Sequence, residues 1–287
     1  MPSNTPGEKS EENPAHKPVR GHAKNVSDRP DKISRDIEVR HCHSLAEFEE
    51  GVGIERLIWG EEITVPAPIF VVADHTGGQV LGAFDGNKMV GVTLALAGFR
   101  GRLQFLHSHM TGVLPEYQNL GVGRRLKLFQ RQEALRSGIP LVEWTFDPLE
   151  LKNARFNLAL LGAVARRYIR DCYGVTSSPL HAGLPTDRLV AEWWLDSTRV
   201  KEILAGNQPP ANPSVKRISV PASISELKSK DRAEGVRVQT ETREKFLGLF
   251  GKEYVATGIE NRGAATEYLL EPRDSVAGVH LPEWEQD

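Results

Sequence analysis

The chain has 287 residues, is 39% hydrophobic and 26% charged, and carries a formal net charge of -2 with an isoelectric point near 6.5. That length suits one large or two modest domains, and the near-neutral balance argues against bulk nucleic-acid or membrane binding. Two cysteines, Cys42 and Cys172, give neither a disulfide framework nor metal-ligand spacing, which fits a reducing cytoplasm.

No apolar run approaches the roughly 18 residues of a membrane helix, and the N-terminus lacks the apolar segment of a signal peptide. Residues 1–35 hold five prolines and almost no large apolar side chains. Such a segment buries too little surface to offset the entropy of ordering, so it is expected to be a disordered leader.

Order is expected from Ile37, where "IEVRHC" alternates as a strand does. Ser44 with Glu47 three residues on reads as a capping box, and Leu45, Phe48 and Val52 follow at helical spacing. Residues 60–67 read as loop. "QVLGAF" and "KMVGVTLALAGF" are strands joined by a hairpin turn at Asp85-Gly86-Asn87. A second tight turn, Arg100 to Arg102, leads into "LQFLHSHMTGV", completing a three-strand antiparallel meander.

A helix is expected from Val122 to Ser137, stopped by Gly138, with Val122, Leu126 and Phe129 as its apolar stripe. Arg124, Lys127 and Arg131 share a different face. "LVEWTF" is the next strand, Asn153 to Leu161 looks helical, and "AVARRYIR" and "RLVAEWWL" are two more strands. Beyond Val200, "ANPSVKRISVPA" reads as Pro-rich. One helix is expected over 226–250, weakened by Gly235, followed by a hairpin of "YVATGI" and "EYLLEP". The expected organisation is a leader (1–35), an α/β core (36–199) and a C-terminal α+β extension packed on it (200–287).

The stretch between the third meander strand and its helix carries Gln118, Gly121 and Gly123. A helix N-terminus has unpaired amides and partial positive charge, and glycines let those amides face outward, which makes a phosphate site. Gln118 is placed to fix the turn. The spacing is neither a Walker A loop nor a dinucleotide fingerprint. A capped, ligand-free helix start is the alternative.

"VLPEYQNLGVGRRL" resembles the acyl-CoA motif of the GNAT superfamily of N-acyltransferases, and the element order from about Ile37 to Arg170 is similar to that family's core. The resemblance covers roughly half the chain. It implies a mixed, mostly antiparallel sheet flanked by helices, with splayed strands at the acyl-CoA site. It also implies that the turn amides of Gln118, Asn119, Leu120, Gly121, Val122, Gly123 and Arg124 hold the CoA pyrophosphate, and that Val113 lies on the strand end that pairs with pantetheine. Arg124 and Arg125 are placed to reach CoA phosphates or to be surface charge. Asn153 stands where many members carry an asparagine near pantetheine. Where members often carry a tyrosine general acid, this chain has Leu158; Asn157, Tyr168 and Tyr173 are the substitutes considered. No metal is implied.

His107 and His109 precede Gln118 by eleven and nine residues. Period-2 alternation puts both on one face of the strand. "HSHMTGV" is similar to the two-histidine strand of the arylalkylamine N-acetyltransferases, and one of the pair, His107 first, is expected to deprotonate the acceptor amine. The alternatives are hydrogen-bonded core histidines, or a metal pair lacking a third ligand. Arg188 is placed either for a substrate carboxylate or for an ion pair; Glu143 and Asp147 either hold an amine or are solvated; Trp193 and Trp194 either pack or line the acceptor pocket.

The reaction expected is direct transfer of an acetyl or succinyl group from acyl-CoA to a small amine or amino acid, with a non-catalytic acyl-CoA-binding module as the rival. The sequence leaves the oligomeric state open.

Overall fold

The computed structural model describes residues 36–174, 183–210 and 212–276; the expected leader lies outside them. The described residues form one compact unit.

β1 (Glu38–His41) leads into α1 (Leu45–Trp59). The capping box is formed: Ser44 Oγ accepts the Glu47 amide at 3.3 Å, and the Glu47 carboxylate accepts the Ser44 amide at 3.2 Å. α1 buries Phe48, Val52 and Ile54, whereas Leu45 faces solvent. The segment read as loop holds a 3-10 turn (Glu61–Ile63) and then α2 (Ala67–His75). Its two prolines do not break that helix: Pro66 caps it and Pro68 lies in its first turn, where no intrahelical N–H is needed.

β2 (Gln79–Asp85), β3 (Lys88–Arg100) and β4 (Leu103–Val113) form the expected meander. α3 (Val122–Arg136) follows, then β5 (Leu141–Phe146). The next helix starts at Leu151, earlier than read; α4 (Leu151–Ala154) passes into a π-helical turn, Arg155–Leu160. β6 (Val164–Ile169) and β7 (Arg188–Trp194) complete the expected strands, and α5 (Thr198–Leu204) follows.

Two C-terminal expectations change. The Pro-rich segment contains β8 (Lys216–Pro221), an edge strand that buries Ile218 and Val220 in alternation, with Pro221 only at its end. The single helix is two, α6 (Ile224–Lys230) and α7 (Arg232–Phe250), because Asp231 turns extended and caps α7 by accepting the Glu234 amide. Gly235 serves packing there: a Cβ would meet the Lys228 backbone on α6 at 3.1 Å. β9 (Tyr254–Arg262) and β10 (Ala265–Pro272) form the expected hairpin.

The described strands make one sheet in the order β1-β2-β3-β4-β5-β7-β6-β9-β10-β8. Every pair is antiparallel except β4 with β5. α1 and α2 cover one face of the meander, where a Cβ on Gly112 would strike Ile58 and Trp59. α3 covers the other face, where a Cβ on Gly91 would meet Leu126. The largest core cluster lies on the α3 face and runs from Leu106 through Trp144 and Trp193 to Phe246 and Tyr268.

Candidate active site

The parallel strands β4 and β5 pair only from Phe105 to His107 against Leu141 to Glu143. Beyond His107 they separate, although β4 runs on to Val113 and β5 to Phe146. The wedge between them opens toward the α3 N-terminus.

Gly121 caps α3 with φ 82° and no side-chain hydrogen bond, and the first turn holds no acidic residue. Asn119 also has positive φ, at 62°. Positive φ at Asn119 and Gly121, with no side-chain cap on the helix start, leaves first-turn amides available to an anion. Gln118 fixes the turn by donating Nε2 to Val113 O at 3.0 Å. A Cβ on Gly123 would touch only Val113 Cγ2, at 3.8 Å, so packing within the chain does not demand glycine there. The cradle therefore fits a phosphate approaching from outside. Leu120 and Arg124 are exposed beside it, while Arg125 donates to Ile37 O at 3.3 Å.

The histidines reach one face by a route that simple alternation misses. Leu94 opposes Met110 and Ala95 opposes Ser108, so His109 is the extra residue of a β-bulge and has no partner on β3 or β5. Their rings lie 6.5 Å apart. His107 is half-buried and His109 more open. Neither has a hydrogen-bonding partner among the described residues, unlike a structural core histidine. Desolvation holds both below the ordinary histidine range; for His107 it outweighs the opposing pull of Glu143, with His109, Lys127 and Arg167 pushing the same way. Both rings are thus neutral and proton-accepting at pH 7.

Glu143 is no amine carboxylate. Arg100 takes both its oxygens, at 2.9 and 3.1 Å, and Arg167 adds a third bond at 2.6 Å. Asp147 is likewise engaged, holding the Leu149 amide at 2.7 Å and lying 3.7 Å from Lys228. Arg188 is buried, donates to Asp187 O at 2.8 Å and stacks 5.3 Å over Tyr173. Trp193 packs in the core, donating Nε1 to Leu161 O, and Trp194 donates to Glu192.

Of the substitutes for the missing tyrosine, Tyr168 is tied down. Its hydroxyl donates to Asp187 at 2.7 Å, and burial with that carboxylate holds the phenol far above its ordinary range. Leu158 is fully buried, Asn157 is buried and Asn153 exposed. Tyr173 is half-exposed, and its hydroxyl bonds Thr145 Oγ1 at 2.7 Å. Thr145 lies on β5 two residues past Glu143, which pairs with His107, so Tyr173 is tied to the strand that faces the histidine strand.

One functional feature escaped the helical pattern. Lys127, read onto a different face of α3 from the apolar stripe, is buried. Its Nζ donates to Ser108 Oγ at 2.8 Å and Gln130 Oε1 at 3.0 Å, and sits 4.0 Å over the Trp144 ring. Gln130, not Phe129, completes the buried stripe.

Among the described residues no cluster of three metal-ligating side chains occurs, and no helix is long and apolar enough to cross a membrane. A separate cleft of ≈ 310 Å³ lies between α7 and β8, away from the histidines.

No family model and no curated protein matches the chain. Among solved structures it is similar to yncA of Salmonella typhimurium, solved with acetyl-CoA: 19% identity, TM-score 0.46, over 62% of this chain and 99% of that one. It is also similar to the ribosomal-protein-S18-alanine N-acetyltransferase of Escherichia coli, at 13% identity and TM-score 0.43, over 62% of this chain and 98% of that one. An aminoglycoside 6'-acetyltransferase type Ii aligns at 16% identity and TM-score 0.42, over 55% of this chain and 97% of that one.

Proposed function

We propose that this chain is an acyl-CoA-dependent N-acyltransferase of the GNAT type, acting on a small amine or amino acid. The observation that carries this reading is a juxtaposition. A glycine-lined helix start without a side-chain cap faces one end of a strand wedge, and two histidines with no hydrogen-bond partner among the described residues lie beside it.

In this reading the α3 amides hold the CoA phosphates and the thioester lies in the wedge. The partnerless backbone around His109 faces the thioester carbonyl, where N–H groups stabilise the oxyanion. His107, with His109 as alternate, takes the proton from the attacking amine. The tetrahedral intermediate collapses to the amide and CoA thiolate, which takes a proton from the Tyr173 hydroxyl. Acetyl and succinyl are the donors to try first.

A free-thiol assay tests this. Acyl-CoA with a competent amine should release CoA. His107→Ala should lower kcat/KM by about 10²- to 10⁴-fold, with the KM for acyl-CoA unchanged. The wild-type rate should fall only as pH drops through a histidine pKa below the ordinary value. Unchanged transfer in the His107→Ala, His109→Ala double variant would discard the base assignment. The buried Leu158 favours one rival, a non-catalytic acyl-CoA-binding module. Thermal stabilisation by CoA without transfer to any amine would support that rival.

A further inference from the structure

The sheet face that carries the histidines also carries five charged side chains. Glu143 on β5 is held by Arg100 and Arg167. Glu192 on β7, with no exposed surface, accepts from Arg166 Nε at 3.2 Å and Arg167 Nε at 3.1 Å. Among the described residues, three guanidiniums thus face two carboxylates on this face. Arg167 stands between both acids and is the pivot. Its Nε and Nη2 are spent on them, its Nη1 has no hydrogen-bond partner among the described residues, and its side chain remains 30% exposed. It bonds Glu143 at 2.6 Å, and Glu143 pairs with His107 in the β4–β5 register, so it stands near the proposed base.

Both carboxylates hold the guanidinium in one orientation, which removes much of the entropy cost of binding an anion there. The same pairing leaves neither acid free for an ammonium group. A polycationic acceptor would meet these guanidiniums and, among the described residues of the cluster, no available acid.

We propose that the substrate carries a carboxylate close to the reacting amide, and that this carboxylate docks on Arg167. The proposal rests on the acyl-transfer reading above and names its substrate class. The anion can belong to an amino-acid acceptor or to a dicarboxylic acyl group such as succinyl; the chemistry Arg167 recognises is the same.

Matched substrates on the unmodified protein test it. With acetyl-CoA, glycine, β-alanine and glutamate are compared with glycinamide, ethanolamine and putrescine. With ethanolamine as acceptor, succinyl-CoA is compared with acetyl-CoA. One arm should show at least a tenfold advantage in kcat/KM for the carboxylate, and which arm does so identifies its source. Arg167→Gln should lower kcat/KM for the preferred carboxylate substrate about 10- to 100-fold, mainly through KM, as loss of a charge-assisted hydrogen bond does. Arg167→Lys should restore part of the loss, and turnover of the neutral counterpart should fall less than that of the carboxylate substrate. Absence of a carboxylate advantage in both arms, or an equal loss on charged and neutral substrates in Arg167→Gln, overturns the proposal.

Failure of acyl transfer with every amine would sink the functional reading instead. The carboxylate dock is then judged by thermal shift with N-acetylglutamate, N-acetylglycine and succinate against N-acetylglycinamide. Stabilisation by the acids alone, lost in Arg167→Gln, upholds it; equal or no stabilisation overturns it.

Discussion

Lys127→Met is the most informative single substitution for the physics of the fold. Lys127 is 3% exposed, and no carboxylate pairs with it among the described residues. Desolvation lowers its pKa from 10.5 to about 7. In the unfolded chain it keeps the ordinary value and stays protonated throughout the working range. Between pH 7 and 10.5 the unfolded state therefore holds a proton that the folded state has released, so stability rises with pH across that window, is lost as pH falls from 10.5 to 7, and levels off below it. For one such group the difference between pH 6 and pH 9 comes to about 2.7 kcal/mol. Methionine matches the length, removes the charge and leaves Ser108 and Gln130 each short of a donor, a cost of roughly 1–3 kcal/mol apiece that does not vary with pH. Urea melts of both proteins at pH 6, 7, 8 and 9 should show the wild type gaining on the variant by about 2–3 kcal/mol across the series. Parallel stabilities across the series would refute the claim that Lys127 is buried without compensation.

Two further outcomes concern the site. Gly123→Ala should fold normally, since its Cβ meets only Val113 Cγ2 at 3.8 Å, yet raise the KM for acyl-CoA about tenfold; Gly121→Ala should instead lose roughly 1–2 kcal/mol of stability because φ is 82° there, and an unchanged KM in Gly123→Ala would remove the phosphate role of the turn. Tyr173→Phe should lower kcat with little change in KM, while Tyr168→Phe should lower the melting temperature with little change in kcat; the reverse pattern would return the proton donor to Tyr168.

Much of the fold was legible because its signals are local. The Ser44 capping box, the Asp85-Gly86-Asn87 hairpin and the Gln118 turn each depend on residues within a few positions, and each forms as the residues dictate. What failed depended on context. Prolines near residue 67 read as loop because helix-starting and helix-breaking proline look alike until the next turn is placed. Lys127 read as surface because a lone lysine on a helix is usually solvated; only the position of β4 and Trp144 shows that it points inward. The histidine pair was read onto one face by alternation, yet the structure gets it there through a bulge, which pairing with β3 sets and the sequence of β4 alone does not reveal. Arg167 gave no signal either, because its acids come from β5 and β7.

The C-terminal residues were expected to pack on the core, and their side chains hold the loops that border the wedge. Tyr268 on β10 donates to Pro148 O at 2.6 Å and Lys228 on α6 to Glu150 at 2.6 Å, fixing the segment that leaves β5. Gln239 and Arg243 on α7 hold Pro185 O at 2.8 Å and Asp187 at 2.7 Å, fixing the segment that enters β7. Asp187 in turn takes the Tyr168 hydroxyl and the Asp171 amide, two residues before Tyr173. Tyr173 is therefore linked to α7 through a buried carboxylate, as well as directly to Thr145 on β5 and to Thr186. A buried carboxylate that loses a partner becomes an uncompensated charge, commonly costing 3–5 kcal/mol. Asp187 and Arg243 thus give one discrete geometry to the loop that carries Tyr173.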